Sequence, residues 1–118
     1  MAQHYRELVA WQKAMDLVTH IYEISKRLPD DVRYGLVSQM RRCAVSVPSN
    51  IAEGQARNSK GEFLQFVGIA RGSIAELTTQ ILISQRLGYL SDPETTIDKS
   101  EEVGRILSGL ANSLRTNN

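Results

Sequence analysis

The chain has 118 residues, of which 42% are hydrophobic and 23% charged, and its formal net charge at pH 7 is +1. This length fits one domain, residues 1–118, and the apolar content excludes an intrinsically disordered chain. A net charge this small indicates no partner by itself, and an aromatic content of 6% leaves the core to aliphatic side chains, which suits helices.

The first predicted helix covers residues 8–28. Its apolar positions recur at steps of three and four residues, which predicts one buried face: Trp11, Met15, Val18, Ile21, Tyr22 and Leu28. The segment 29–31, Pro-Asp-Asp, ends this helix because proline cannot continue it.

The second predicted helix covers residues 31–55, with Asp31 as a candidate N-cap. Its apolar positions are Leu36, Val37, Met40, Cys43, Ala44, Val47 and Ile51. Pro48 lies inside this pattern, where it lacks a backbone N–H and its ring meets the carbonyl of Ala44, at a cost of roughly 3 kcal/mol or more. Because the apolar pattern continues to Ile51, a helix kinked at Pro48 is favoured over one that stops and restarts there.

The third predicted helix covers residues 60–87. Ser59 and Glu62 have the spacing of a capping box, in which each side chain accepts a hydrogen bond from the other residue's backbone N–H. Gly88 follows as a natural left-handed stop. The core stripe of this helix is predicted to be Phe63, Val67, Ala70, Ile74, Leu77 and Ile81.

The fourth predicted helix covers residues 92–115. Asp92 is a capping residue, and Pro93 takes the first helical position, where a missing N–H costs little. The apolar pattern continues at Val103, Leu107, Leu110 and Leu114. Short loops make successive helices antiparallel neighbours, so the predicted fold is all-α, an up-down-up-down antiparallel four-helix bundle. Residues 116–118 are expected to fray.

The third helix has a second face of apolar and small residues, roughly opposite its core stripe. This face is formed by Gly68, Gly72, Ala75 and Thr79, flanked by Leu64 and Leu82. Two glycines four residues apart each cost about 1 kcal/mol against alanine, and they let another backbone come close. The pattern predicts an oligomer interface; the alternative is a poorly optimised surface with tolerated glycines.

Beyond Pro48, Asn50 and Glu53 lie one turn apart on a more polar stripe of the second helix. They could hydrogen-bond backbone groups freed by Pro48, or pair with arginine across subunits. A structural role of this kind, in supporting the kink or setting interface register, is favoured over contact with a ligand.

The middle of the chain is basic. Residues 33–86 contain seven Lys and Arg against three Glu, a net of +4. Basic side chains neutralise phosphates and release counterions, which supplies affinity for nucleic acid. The predicted contacts are Arg41, Arg42, Arg57, Lys60 and Arg71. The alternative is an ordinary solvated helix surface.

The sequence predicts no catalytic residue, metal or cofactor. Neither histidine follows a Glu by three residues, as a di-iron site in a bundle requires. Asp16 and His20 share a helix face, but two ligands do not make a site, and both are interpreted as surface residues. No Cys/His cluster fits zinc, and no phosphate-binding glycine loop precedes a helix. The protein is therefore expected not to be an enzyme.

The single cysteine, Cys43, cannot form an intramolecular disulfide and favours a reducing compartment. It lies on an apolar helical position and is interpreted as a small core residue. The N-terminus lacks the pattern of a signal peptide, and no uninterrupted apolar run approaches the ~20 residues of a membrane span. A cytoplasmic protein without a membrane partner is expected.

Four stretches carry a family resemblance: LVAW at 8–11, SVPSNIAEG at 46–54, FLQFVGIARGSIAEL at 63–77 and LGYL at 87–90. With them the chain resembles, over roughly residues 5–115, the bacterial four-helix-bundle proteins encoded in intervening sequences of 23S rRNA genes, at times classed as ribosomal proteins. The resemblance implies a bundle assembled as a ring of five. The chain is also similar to the accessory protein of diversity-generating retroelements, likewise a five-fold ring, which binds nucleic acid.

Together these observations predict a non-enzymatic, ring-forming bundle that binds nucleic acid, RNA favoured over DNA, through basic residues of the middle helices. The expected partners are other copies of the chain, a homopentamer by resemblance, and RNA or DNA. The alternative is a scaffold or accessory subunit that recruits a protein partner and has no nucleic-acid affinity of its own. The near-neutral net charge favours this alternative.

Overall fold

Four α-helices make up most of the part of the chain that the computed structural model describes, residues 4–116. They are α1 (Val9–Ser25), α2 (Ser38–Gln55), α3 (Lys60–Arg86) and α4 (Glu94–Thr116). Each packs against the next along the chain, and α4 closes on α1. The predicted all-α four-helix bundle is confirmed, and no strand occurs between residues 4 and 116.

Contacting side chains show that neighbouring helices are antiparallel. Between α2 and α3, Met40 contacts Ser84 and Ser46 contacts Ser73, so residue numbers rise along one helix as they fall along the other. The same reversal relates α3 to α4 and α1 to α4. The topology is therefore up-down-up-down, as the short loops predicted.

The buried face of α1 is centred one residue earlier than predicted. Its buried apolar residues are Ala10, Ala14, Leu17, Ile21 and Ile24. Met15 and Tyr22, which were predicted to be in the core, are 41% and 40% exposed. The prediction favoured large side chains, whereas the two alanines let the neighbouring helices approach and leave bulkier residues on the flanks. The helix also ends at Ser25, earlier than the predicted residue 28.

The chain enters α2 through a tight turn and then a wide one. A 3-10 turn, Asp30–Val32, leads into a π-helical turn, Arg33–Val37, and α2 begins only after it. Asp31 lies inside the 3-10 turn, and Pro29 precedes that turn as its cap, so the predicted N-cap is wrong.

Helix α2 is continuous through Pro48, which is buried, so the helix does not stop and restart there. The bend expected at this proline stays a prediction.

The buried side chains of this segment include Val37, Met40, Ala44, Val47 and Ile51. Cys43 is only half-buried and accepts a hydrogen bond from Gln80 Nε2 at 3.5 Å, so it flanks the core instead of belonging to it.

Gly54 sets how closely α2 approaches α3. A Cβ at this position would lie 2.7 Å from Phe66 Cβ and 2.9 Å from Phe63 Cδ1, closer than carbon atoms pack in proteins. Glycine is therefore required here by the close approach of the two helices.

The caps of α3 follow the local sequence. Ser59 Oγ accepts the Glu62 N–H at 3.1 Å, which confirms the first half of the predicted capping box. The Glu62 carboxylate accepts from the Ser59 hydroxyl at 3.3 Å. At the other end Gly88 has φ of 81°, and Tyr89 N–H bonds the Ser84 carbonyl at 2.9 Å, as in a Schellman motif.

Helix α4 begins at Glu94, two residues later than predicted, and the carbonyl of buried Pro93 accepts the Ile97 N–H at 2.9 Å. Its fully buried apolar positions are Val103, Leu107 and Ala111, with Leu110 and Leu114 half-buried beside them. Of the residues expected to fray, Thr116 is the last residue of α4, and residues 117 and 118 lie outside the described residues.

Of the helices described, α3 is long and apolar enough to cross a membrane by length and composition, with a mean hydropathy of 1.2 in its most apolar window. Its predicted core stripe is buried from Val67 to Ile81, and the helix packs between α2 and α4. The core-facing side of α3 is thus covered by its two neighbours, as for each helix of a four-helix bundle. The expected absence of a membrane partner and the cytoplasmic location stay predictions.

Candidate nucleic-acid interface

Three arginines and two tyrosines line one surface depression beside the entry to α2: Arg33, Arg41, Arg42, Tyr22 and Tyr34. We call these five residues the arginine–tyrosine patch. No acidic side chain lines the depression, and within residues 4–116 none of its arginines forms an ion pair. Asp30 lines the adjoining cleft, which Arg33 and Arg41 share. The patch is therefore a concentration of positive charge with exposed aromatic rings.

Helical spacing brings the patch together. Arg33 and Arg41 are eight residues apart, and Tyr34 and Arg42 are also eight apart, so each pair lies on one side of the segment, two turns from its partner. The π-helical turn is closed by the Ser38 N–H, which bonds the Arg33 carbonyl. This wider turn places Arg33 and Tyr34 at the rim of the depression, where both are exposed.

Arg41 is held in a fixed orientation. Its Nε donates to Ser25 Oγ at 2.9 Å, and the Ser25 hydroxyl donates to the Tyr22 carbonyl at 3.1 Å. The Arg41 Cζ lies 4.6 Å from the centroid of the Tyr22 ring, a cation–π contact. The terminal Nη groups of Arg41 make no hydrogen bond or ion pair within the described residues, so they are available to a ligand.

The five basic residues predicted from sequence lie in three separate places. Only Arg41 and Arg42 belong to the patch. Arg57 lies in the loop after α2, and the 14 residues from Arg41 to the end of the helix at Gln55 already span about 21 Å at 1.5 Å per residue. There it pairs with Glu53 at 2.7 Å, beside Lys60 in a cleft at the other end of the bundle. Arg71 lines the groove between α3 and α4.

Asn50 and Glu53 do not form one site. The Asn50 amide donates to the Ser46 carbonyl at 2.8 Å and to Ser46 Oγ at 3.0 Å. Ser46 Oγ in turn lies 2.8 Å from Ser73 Oγ on α3. Asn50 thus supports contact between helices and does not bond the Ala44 carbonyl that Pro48 leaves free. Glu53 accepts a hydrogen bond from Arg57, which lies in the loop just after α2.

The predicted interface on the back of α3 is mostly exposed. Gly68, Gly72, Ala75 and Thr79 face outward, and Leu82 is 45% exposed. A Cβ on either glycine would meet nothing within 4 Å, so this chain's own packing does not require glycine there. Leu64 differs from the prediction, because it is half-buried against the core.

Besides the exposed back of α3, the surface has an apolar groove between α1 and α2. Its lining residues include Tyr5, Trp11, Met15, Val18, Val45 and Pro48. We call it the α1–α2 groove. It adjoins the arginine–tyrosine patch, because Val45 lines both.

His20 is not the surface residue that was expected. It is half-buried, and its Nε2 lies 2.7 Å from Thr96 Oγ1 on α4. Burial, together with the positive charges of Lys99 and Arg27, lowers the pKa of His20 below its usual value. Asp16 is exposed. Within residues 4–116 no group of three or more His, Cys, Asp or Glu could hold a metal ion.

Sequence reasoning missed three members of the patch. Tyr22 was assigned to the core of α1, and Arg33 and Tyr34 were not singled out. A signal was available, because Arg33 and Tyr34 stand side by side before the apolar stripe of α2 and outside it. What the sequence did not reveal is that Tyr22, on another helix, lies beside Arg41.

Comparison with known proteins found one matching family model and a solved structure with the same fold. The family model described as 23S rRNA-intervening sequence protein matches residues 6–109. A solved structure of a protein of unknown function from the S23 ribosomal protein family of Bacteroides thetaiotaomicron VPI-5482 is similar, with a TM-score of 0.81 and 20% identity, covering 88% of this chain and 96% of that one. At this identity the likeness establishes the fold alone. No curated protein matches the chain.

Proposed function

We propose that this chain, which belongs to the family of 23S rRNA-intervening sequence proteins, is a non-enzymatic, self-assembling bundle that binds nucleic acid. The family match confirms the resemblance first drawn from the sequence. RNA is favoured because the family's description refers to an rRNA intervening sequence. Neither this description nor that of the similar structure names an enzymatic activity.

The observation that carries the proposal is the arginine–tyrosine patch. Its three arginines have no carboxylate partner within the described residues, and Arg41 is held with its terminal nitrogens available. A guanidinium donates two parallel hydrogen bonds to a phosphate and releases condensed counterions as it does so. The ring of five that the resemblance implies would present the patch five times, which multiplies a modest local charge.

The test is fluorescence anisotropy of labelled structured RNA and duplex DNA, titrated with nuclease-treated protein across a salt series. We expect binding with a steep salt dependence. The double substitution Arg41→Ala with Arg42→Ala should weaken it and lower the salt slope by about one for each lost phosphate contact.

The matched control is Arg105→Ala with Arg115→Ala, which removes the same charge from α4, a helix that does not line the patch. This variant should bind nearly as the wild type does. Equal weakening by both variants would mean that net charge and not the patch governs binding. No anisotropy change for any nucleic acid at low salt would refute the proposed function.

A protein-binding scaffold is the second candidate, and the α1–α2 groove favours it. This groove is apolar, and the net charge of the chain is only +1. In that case, affinity purification should recover one protein whose capture withstands nuclease, and the anisotropy experiment should show no binding.

A further inference from the structure

We infer that the arginine–tyrosine patch binds unpaired nucleotides, with a base stacked on Tyr34 and the neighbouring phosphates bound by Arg41 and Arg42. The inference rests on the proposed nucleic-acid binding. It goes further by naming single-stranded segments as the ligand and by giving the tyrosines a role.

Tyr34 is exposed well beyond what its chemistry favours. Its side chain is 89% exposed, and no ring contact within the described residues involves it. It lies on the π-helical turn Arg33–Val37, and π turns are rare and often occur at functional sites. A large aromatic ring presented to solvent by an irregular turn contributes little to the core and is free to stack on a ligand.

Tyr22 and Arg41 form a second flat surface beside it. The Arg41 guanidinium lies over the Tyr22 ring at 4.6 Å, and the bond from its Nε to Ser25 Oγ restricts its rotation. Arginine planes and aromatic rings are the usual stacking partners of splayed bases. Because the orientation of Arg41 is already restricted, little side-chain entropy is lost when it binds a phosphate.

A patch that has both arginines and exposed aromatic rings should distinguish single strands from duplexes. In a duplex the faces of the bases are covered by their neighbours, so only the arginines could make contact. An unpaired nucleotide offers both a phosphate and a base face, and base–aromatic stacking does not depend on sequence. The depression is about 460 Å³, within the usual range of ligand pockets, so it has room for a base.

The experiment uses short oligonucleotides of one sequence, as single-stranded RNA, single-stranded DNA and blunt RNA duplex. Each carries one 2-aminopurine, whose fluorescence falls on stacking. The wild type should bind the single strands more tightly than the duplex and quench the probe. Tyr34→Ala should weaken single-strand binding by about 5- to 150-fold, remove the quenching and leave duplex binding unchanged. The stronger of the two single-strand arms identifies RNA or DNA as the preferred source of the nucleotide.

Two further variants separate stacking from other effects. Tyr34→Phe keeps the ring and should behave as the wild type, whereas Tyr34→Leu keeps an apolar side chain without a ring and should behave as Tyr34→Ala. Circular dichroism should show all three folded, since Tyr34 contributes little to the core.

Equal affinity for single strand and duplex, unchanged in Tyr34→Ala, would overturn the inference and leave the proposed function standing. Full binding by Tyr34→Leu would overturn stacking as the mechanism. If no oligonucleotide bound at low salt, the proposed function would fail first and the inference with it.

Discussion

Single residues decide the spacing of the helices, and Gly54 is the clearest case. Gly54→Ala should lower the free energy of unfolding by about 1–3 kcal/mol, because the new methyl group would be forced against Phe66 Cβ and Phe63. Gly109→Ala is the matched control, since a Cβ there meets nothing within 4 Å and alanine is the better helix former by about 1 kcal/mol. Urea unfolding measures the free energy of unfolding of both variants and of the wild type. A Gly54→Ala protein as stable as the wild type would show that the two helices can separate at little cost.

A second residue, His20, makes stability depend on pH. Its folded-state pKa is lowered, chiefly by burial, so the unfolded chain takes up the proton first as pH falls. The contribution of neutral His20 is therefore present above the ordinary pKa of about 6.5 and is lost as pH falls through the lower folded-state pKa. We expect the thermal midpoint to drop between about pH 7.5 and pH 5.5, where carboxylates with pKa near 4 titrate little.

His20→Gln should flatten that pH dependence, and His4→Gln, which changes the other histidine, should keep it. An identical pH profile in the wild type and His20→Gln would place the titrating group elsewhere. His20 packs against Thr96 from α4, and the positive charges that face it are Lys99 and Arg27.

At the scale of the helices, the sequence predicted what depends on local chemistry. Periodic apolar residues placed four helices, and the caps at Ser59 and Gly88 follow from the hydrogen bonds that serine and glycine make locally. The 3-10 and π turns before α2 were not predictable in the same way. They depend on how the chain leaves Pro29 and brings Val37 into the core, which is settled by packing against other helices.

The contact between α2 and α3 likewise could not be predicted from the local sequence. Polar and sulfur atoms meet along it: Ser46 with Ser73, Cys43 with Gln80, and Met40 with Ser84. Such pairs favour one register, because sliding either helix would leave a buried polar group without a partner. Gln80 Oε1 has no hydrogen-bond partner among the described residues. The sequence placed Asn50 and Arg41 on helix faces but could not identify their partners, which come from other helices.

For the whole molecule, a ring requires two different surfaces on each subunit, one for each neighbour. Among the described residues, the back of α3 and the α1–α2 groove are two exposed apolar surfaces. They lie on different sides, because α3 packs between α2 and α4 while α1 packs against α2 and α4. If the proposed assembly is a ring, the back of α3 on one subunit should therefore fill the α1–α2 groove of the next, with the small side chains at Gly68 and Gly72 allowing close approach.

This arrangement can be tested with one variant on each surface, Gly72→Leu on α3 and Val45→Arg in the groove, by native mass spectrometry. Each variant alone should be monomeric, because every contact in a ring uses both surfaces. A mixture of the two should form a dimer, since the intact α3 of Val45→Arg can still pack into the intact groove of Gly72→Leu. Thr95→Leu, at an exposed position of α4 away from both surfaces, is the control and should keep the wild-type mass. If Gly72→Leu also kept it, the back of α3 would not be an interface, and a monomeric wild type would refute self-assembly altogether.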